Sequence, residues 1–563
     1  MDIKHIYAKD LQAIIGDDLT IEEIEQLIEV PNNASHGDLA FPAFALAKIF
    51  RKAPQQIAAD IAEKLKPDNY NRIEAVGPYI NVLLDRKPVG KTLVAQILTE
   101  GEHYGDSQLG QNEAMTIDMS SPNIAKPMSM GHLRSTVIGN AIANIANKTG
   151  YQAVRINHLG DWGTQFGKLI IAYNKWGDED KVKADPINEL VKLYVEFHEV
   201  AEEDPSLDDE ARAAFKKLED GDKEMIELWT WFKEESLKEF QKVYDMLDIQ
   251  FDSYNGEAFY NDKMQAVIDE LEAKEITKID QGATIVDLED QDLPPALIKK
   301  SDGATLYVTR DLAAAIYSYN TYHFAKNVYV VGNEQSVHFK QLKAVLDKLG
   351  YDWCEDMIHV PFGLITLDGK KLSTRKGKIV LLEEVLNEAI DLARKQIDEK
   401  NPDLVNKEEV AQQVGVGAVV FHDLKTDRMN NFDFNLNDIV QFEGETGPYV
   451  QYTYARSMSI IRKYGQEINH NDQFNLEDDY SWEIIKKIAD YPRIIERAIE
   501  LYEPSVIAKF AIQLAQLFNK YYANVRILND DDQLAMRMEL VKATTIVLKD
   551  ALNLLGVKAP AEM

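Results

Sequence analysis

The chain has 563 residues, 45% hydrophobic and 28% charged, which is too long for one ordinary core and reads as several globular domains. With 94 acidic against 62 basic side chains the net charge is −32, which on totals alone argues against a nucleic-acid partner, although phosphate binding needs only a local basic surface. The single cysteine, Cys354, excludes an intramolecular disulfide and a multi-thiolate metal cluster and suggests a reducing compartment.

The opening stretch MDIKHIYAKDLQAIIGDD carries acidic residues where a secretory signal would be apolar, and no apolar run approaches transmembrane length. A cytoplasmic chain without a membrane partner is therefore expected. Up to about Gly105 helical patterns mix with strand-like pieces such as RIEAVGPYINVLLD, which predicts a compact α+β unit over 1–108. From Ala114 a nucleotide-type α/β pattern begins: strand AMTIDM, a helix from Leu133, strand AVRINHLG, and later strand NVYVVG with helix HFKQLKAVLDKLG. These elements predict a Rossmann-like parallel sheet over 109–378, interrupted by a charged helical insertion at about 170–295. A helical connecting segment over 379–445 and a helical bundle over 446–563 complete an α/β multidomain fold class.

The stretch SSPNIAKPMSMGHLRSTVIGNAIANI starts at Ser120 and puts Gly131 and His132 where strand becomes helix. A helix N-terminus offers unpaired N–H groups and partial positive charge, so this junction suits phosphate. Gly131 lets a flat group approach the backbone, and His132 can donate to a phosphate oxygen. Neither GxxxxGK[ST] nor GxGxxG occurs at this junction, which disfavours the common mononucleotide and dinucleotide loops. A bare Gly-His is equally readable as a capping loop with a satisfied histidine. The loop DGKKLSTRKGK further on fits a mobile cationic loop opposite phosphates, or a solvated surface turn.

The string SPNIAKPMSMGHLRSTVIG resembles the first signature of class I aminoacyl-tRNA synthetases in its arginyl form. NHLGDWGTQFG, LYVTRDLAAA, KLSTRKG and TGPYVQYTYAR resemble further blocks of that family in its order. The first signature usually opens with histidine, and Ser129 stands there; the second usually has lysine where Thr374 stands. A hydroxyl still donates to phosphate but lacks the imidazolium charge, so the weight falls on His132, and on Lys371, Arg375 or Lys376 in the second block.

The resemblance implies an arginine–tRNA ligase that uses ATP with Mg2+, without zinc, and charges tRNA-Arg, probing neither DNA nor membrane. Ser129, Gly131, His132, Lys371, Ser373, Arg375 and Lys376 would serve the chemical step, with Pro122, Lys126 and His338 also at the nucleotide. His338 is equally readable as a helix-terminal residue with no ligand. Asp118 and Asp311 would face the substrate guanidinium, which a carboxylate accepts in bidentate fashion, with Tyr307 one helical turn before Asp311. Asn123 and Gln335 would hold the α-amino end. For the RNA, Tyr79 and Asn81 match the D-loop contacts of the family's additional domain, while Tyr449, Tyr452, Tyr454, Arg456, Tyr522 and Arg526 lie on the helices that bind the anticodon, most of the aromatics being expected in the core.

The resemblance further implies transfer to the 2′-hydroxyl and activation that requires bound tRNA; no stretch of the sequence resembles an obligate dimer seam, so a monomer is expected. Two other readings stand beside it. An adenylyltransferase acting without RNA would need neither the helical tail nor the Asp311 block, and a non-catalytic RNA-binding relative would not need His132 or the basic loop.

Overall fold

A computed structural model describes residues 3–66, 69–301, 307–367, 370–371, 374–375, 378–471 and 473–563. The first helix, Ile3–Ile15, buries Tyr7, Ala8, Leu11 and Ile15, one stripe of a 3.6-residue repeat. The stripe faces an antiparallel sheet of β1 (Leu39–Pro42), β2 (Tyr70–Val76) and β3 (Tyr79–Leu84) in the order β1-β3-β2, and the Tyr7 hydroxyl donates to the Ile80 carbonyl. Gly77, with φ +58°, and Pro78 make the two-residue turn between β2 and β3, a hairpin geometry whose first central residue needs positive φ.

This unit is docked on the other end of the chain. Trp482 Nε1 donates to Asp38 Oδ1 at 3.1 Å, Lys486 reaches the same carboxylate at 3.4 Å, and the Tyr104 hydroxyl donates to the Ile488 carbonyl at 2.9 Å.

The central layer starts with β4 (Ala114–Asp118), whose Met115, Thr116 and Ile117 are buried, and β5 (Gln152–Ile156). The helices Gln165–Trp176, Glu179–Ala184, Pro186–Glu203, Ser206–Glu219 and Lys223–Leu247 follow. The region expected to be helical also contains a small antiparallel sheet, β6 (Thr277–Asp280), β7 (Ala283–Val286) and β8 (Ala296–Lys299). Strands of four residues are too short to show an alternation in sequence, which is why this sheet was not read there.

The chain then returns through the helix Tyr307–Tyr322 to β9 (Lys326–Val330), the helix Ser336–Leu349 and β10 (Met357–Val360). The four strands pair in parallel throughout, in the order β10-β9-β4-β5. Connections therefore leave β4 in opposite directions, and the crevice beyond the carboxyl ends of β4 and β9 is the switch point where open α/β sheets bind ligands.

The helix Leu133–Lys148 spans this crevice and is buried on nearly every face, because the sheet lies on one side and C-terminal helices on the other. Gly139 permits the contact with the sheet, since a Cβ there would sit 2.4 Å from Met119 Cβ. Beyond β11 (Ile365–Leu367), which pairs in parallel with Phe432–Asp433, the long elements are helices: Leu382–Lys400, Lys407–Lys425, Gly447–Tyr464, Asp479–Ala489, Tyr491–Glu500, Ser505–Asn524 and Leu534–Leu554.

Candidate active site

The loop from β4 to the helix Leu133–Lys148 holds unusual backbone: Ser120, Ser121 and Ala125 have φ of 71°, 50° and 59°, and none is glycine. Each left-handed residue of this kind costs on the order of 1 kcal/mol, so bonds from outside the loop must hold it. The Ser120 N–H donates to Ser135 Oγ at 2.9 Å, the Ser121 N–H to Asn157 Oδ1 at 3.2 Å, and the Ala125 N–H to Ser236 Oγ at 2.9 Å. Asn123, which is exposed, lies against Gly160, where a Cβ would come within 2.1 Å of Asn123 Oδ1. Pro122 is buried beneath the loop and Lys126 is exposed on it.

At the helix entrance Ser129 and His132 face each other. The Ser129 N–H donates to His132 Nδ1 at 3.1 Å, with Ser129 Oγ 3.3 Å from the same nitrogen. Accepting at Nδ1 leaves the proton of the neutral ring on Nε2, which is then the outward donor. Burial pushes the His132 pKa below the ordinary histidine value, so the ring is neutral near pH 7 and acts by hydrogen bonding. Gly131 is exposed beside it and lines a 260 Å³ cavity together with His132, Ser120, Ser121, the end of β9 at Val330 to Gly332, and Phe362 to Ile365.

The stretch after the basic loop is stitched to the first signature. The Met130 N–H donates to the Val380 carbonyl at 3.0 Å and the Leu382 N–H to the Met128 carbonyl at 2.9 Å. Lys371 pairs with Thr366 and Arg375 with Lys378 in two short hairpins. Ser373 and Lys376 lie outside the described residues, as do the side chains of Lys371, Arg375 and Tyr307.

On the other side of β4 stand the carboxylates. Burial holds the Asp118 carboxyl above the usual range; the nearby Asp311 carboxylate adds to this, while His158 and a hydrogen bond from Ser121 Oγ oppose it. Asp311, on the helix Tyr307–Tyr322, is 2.7 Å from His338 Nε2. Glu257 is also raised by burial, against an opposing pull from Arg310. Asp118 and Asp311, two acidic side chains near each other and beside the aromatic rings of Tyr260 and Tyr329, make a place for a cation. Gln335 is exposed in the turn that follows β9.

Several of these groups are invisible to motif reading. Tyr260, stacked on His158 with centroids 5.5 Å apart, comes from the insertion. Arg134 is 1% exposed, pairs with Asp423 at 3.4 Å, donates to the Asn430 carbonyl, and lies over the rings of Phe432 and Phe362. It ties the first signature's helix to the strand Phe432–Asp433, which pairs with β11, and to Phe362, just before β11. Its signal was a charge on a helix face otherwise carrying Leu133, Val137 and Ile138.

The residues expected at RNA are spread over two other places. Tyr79 is half-buried with its ring edge-on to the exposed Phe44, whereas Asn81, on the same face of β3, is covered and only 3% exposed. In the helical end, the Arg456 guanidinium lies over Tyr452 at 5.0 Å and over Tyr522 at 4.8 Å, and donates to Asn519, which in turn donates to the hydroxyl of Tyr449. Tyr522 and Arg526 are exposed, while Tyr454 is buried at 5% and belongs to the packing.

Comparison with known proteins gives three family matches in chain order. "Arginyl tRNA synthetase N terminal domain" matches residues 1–84, "tRNA synthetases class I (R), catalytic domain" residues 93–436, and "DALR anticodon binding domain" residues 450–563. The chain is similar to the arginine–tRNA ligases of Enterococcus faecalis, 63% identical over 563 residues, and Latilactobacillus sakei, 59% identical, with 100% of both chains covered in each case. Among solved structures it is similar to the arginyl-tRNA synthetase of Thermus thermophilus, with a TM-score of 0.83 and 25% identity over 100% of both chains. The arginyl-tRNA synthetase of Plasmodium falciparum gives a TM-score of 0.81 at 25% identity, covering 100% of this chain and 98% of that one.

Proposed function

The chain belongs to the class I arginyl-tRNA synthetases, and on that premise we propose the following division of labour within an ATP-dependent arginine–tRNA ligase. The observation that carries it is the nearness of the Asp118 and Asp311 charges at the end of β4, next to the strand–helix junction where Gly131 and His132 line a cavity.

Asp118 and Asp311 accept the guanidinium of arginine, with Tyr307 adding its phenol and Asn123 and Gln335 taking the α-amino end. ATP enters with Mg2+ between Gly131 with His132 and Phe362 to Ile365, which line one cavity. Pro122, Lys126 and His338 are assigned to the nucleotide by the family resemblance. The arginine carboxylate attacks the α-phosphate in line, the bond to the bridging oxygen breaks, and pyrophosphate leaves. His132 and Ser129 donate to the phosphates, while Lys371, Ser373, Arg375 and Lys376 stabilise the charge that spreads onto the leaving group. A hydroxyl of the terminal tRNA adenosine then attacks the adenylate carbonyl and AMP departs. No enzyme nucleophile is needed; positioning and electrostatics suffice.

For the tRNA, Arg456 held between Tyr452 and Tyr522, with Tyr449 and Arg526, supplies flat faces and positive charge in a molecule of net charge −32. Tyr79 with Phe44 supplies a second aromatic surface at the N-terminal unit, over 1–108, for the D-loop. The enzyme acts as a monomer in the cytoplasm; among the described residues no helix is long and apolar enough to cross a membrane.

The test is pyrophosphate exchange into ATP and charging of total tRNA, each with arginine and with lysine, with and without tRNA. Exchange and charging with arginine and not lysine are expected. Tight tRNA binding with no turnover of arginine under any condition would overturn the reading in favour of a non-catalytic RNA-binding relative.

A further inference from the structure

The helix Lys223–Leu247 lies in the insertion, outside the parallel sheet, yet it reaches the left-handed loop of the first signature at two places. Ser236 Oγ takes the Ala125 N–H, and near the helix end the Tyr244 hydroxyl lies 2.8 Å from Ser120 Oγ. Asn157 Nδ2 donates to that hydroxyl at 3.0 Å. Tyr244, Asn157 and Thr136 are each 0% exposed and Ser120 is 5% exposed, so none of these groups can exchange its partner for water.

Donor and acceptor counting fixes the direction of the chain. Thr136 Oγ1 is 2.7 Å from the His132 carbonyl oxygen and 2.9 Å from Ser120 Oγ. A carbonyl can only accept, so the one Thr136 proton goes to His132, and Ser120 must donate to Thr136. Because the one Ser120 proton goes to Thr136, the Tyr244 hydroxyl donates to Ser120 Oγ and accepts from Asn157. The sequence is Asn157 N–H to Tyr244 O–H to Ser120 O–H to Thr136 O–H to the His132 carbonyl. The edge contact of the Tyr244 ring with Phe251, centroids 4.8 Å apart, accounts for the ring and not for its hydroxyl. Burial pushes the Tyr244 phenol up to about 12, so it keeps its proton throughout the working pH range.

We propose that Tyr244 is a positioning residue for the ligase reaction, acting through Ser120 and Thr136 to hold the backbone turn from which His132 addresses the nucleotide. The insertion thereby completes the first signature. The proposal rests on the assignment of His132 to ATP, and its test separates the two.

Tyr244→Phe keeps the ring and removes only the hydroxyl; Ser120→Ala removes the next member. In the full-length protein each variant is expected to lower kcat for tRNA charging and to weaken ATP binding, read by calorimetry, by about ten-fold. The affinity for tRNA should not change. The double variant should lose no more than the worse single one, because a broken chain cannot be broken again.

Charging and ATP affinity within about two-fold of the parent in Tyr244→Phe, whatever happens to its melting temperature, would overturn the proposal, as would additive losses in the double variant. A parent enzyme that binds ATP but never charges tRNA with arginine defeats the functional reading instead, and the ATP-binding arm still decides the role of Tyr244.

Discussion

The crevice at the sheet and the aromatic cluster at the helical end hold their working groups in opposite ways. In the crevice, the parts come from β4, the loop after it, the helix Tyr307–Tyr322, the turn after β9 and the stretch near Val380, and hydrogen bonds between these segments tie the loop and the stretch near Val380 into place. At the helical end, Tyr449, Tyr452 and Arg456 lie on successive turns of one helix, Tyr522 on another, and their outer faces meet solvent. Chemistry on a phosphate gains from donors that need not move, whereas stacking on bases tolerates side chains that settle against whatever arrives.

If that division holds, changes in the crevice should cost turnover and leave tRNA affinity alone. The largest effect is expected from His132→Ala, which removes the outward Nε2 donor: charging should fall by on the order of 10²- to 10³-fold, with the tRNA dissociation constant unchanged in a filter-binding assay. A parallel loss of tRNA binding would break the contrast. Next comes Asp311→Asn, which removes one of the two carboxylates offered to the guanidinium and disturbs the pair with His338. Here kcat/KM for arginine should fall by on the order of a hundred-fold, mostly in the KM for arginine.

A change at the helical end should behave conversely. Arg456→Ala unpins Tyr452 and Tyr522 and should weaken tRNA by about ten-fold, a loss of roughly 1–2 kcal/mol, while the KM for arginine in charging assays stays the same. The smallest effect concerns pH. The Asp118 carboxyl, raised mainly by burial, takes up its proton at higher pH than an ordinary carboxylate, and only its ionised form accepts the guanidinium strongly. Lowering the pH toward that raised value should therefore raise the KM for arginine, and Asp118→Asn should flatten this profile while raising KM at every pH. A profile unchanged by the substitution would assign the titration to another group.

Legibility in the sequence follows the range of the contacts. The strand–loop–helix at Gly131 and His132 is local, so its residue pattern reads directly, and the blocks around it settle the fold class. The pairing order of β10-β9-β4-β5 is non-local but constrained, since parallel strands need helical crossovers. Tyr244 was unreadable for the opposite reason: it meets Ser120 across 124 residues, and in the helical repeat an inward tyrosine looks like any core aromatic. The burial of Asn81 and Tyr454 is hidden for another reason. Tyr454 lies among the buried residues of the helix Gly447–Tyr464, and Asn81, which shares a face of β3 with the half-buried Tyr79 and Leu83, is covered all the same, so neither side-chain type nor alternation reports it.

The contact between Asp38 and Trp482 joins positions 444 residues apart. At typical synthesis rates of 5–20 residues per second, roughly twenty to ninety seconds pass between the emergence of the two. Throughout that interval the N-terminal unit has left the ribosome without the helices that cap its flank, and Asp38 has neither its indole nor its ammonium partner. A nascent chain halted before Trp482 should thus be cut readily by protease near Asp38, and the same bonds should become resistant once the last helices have been made.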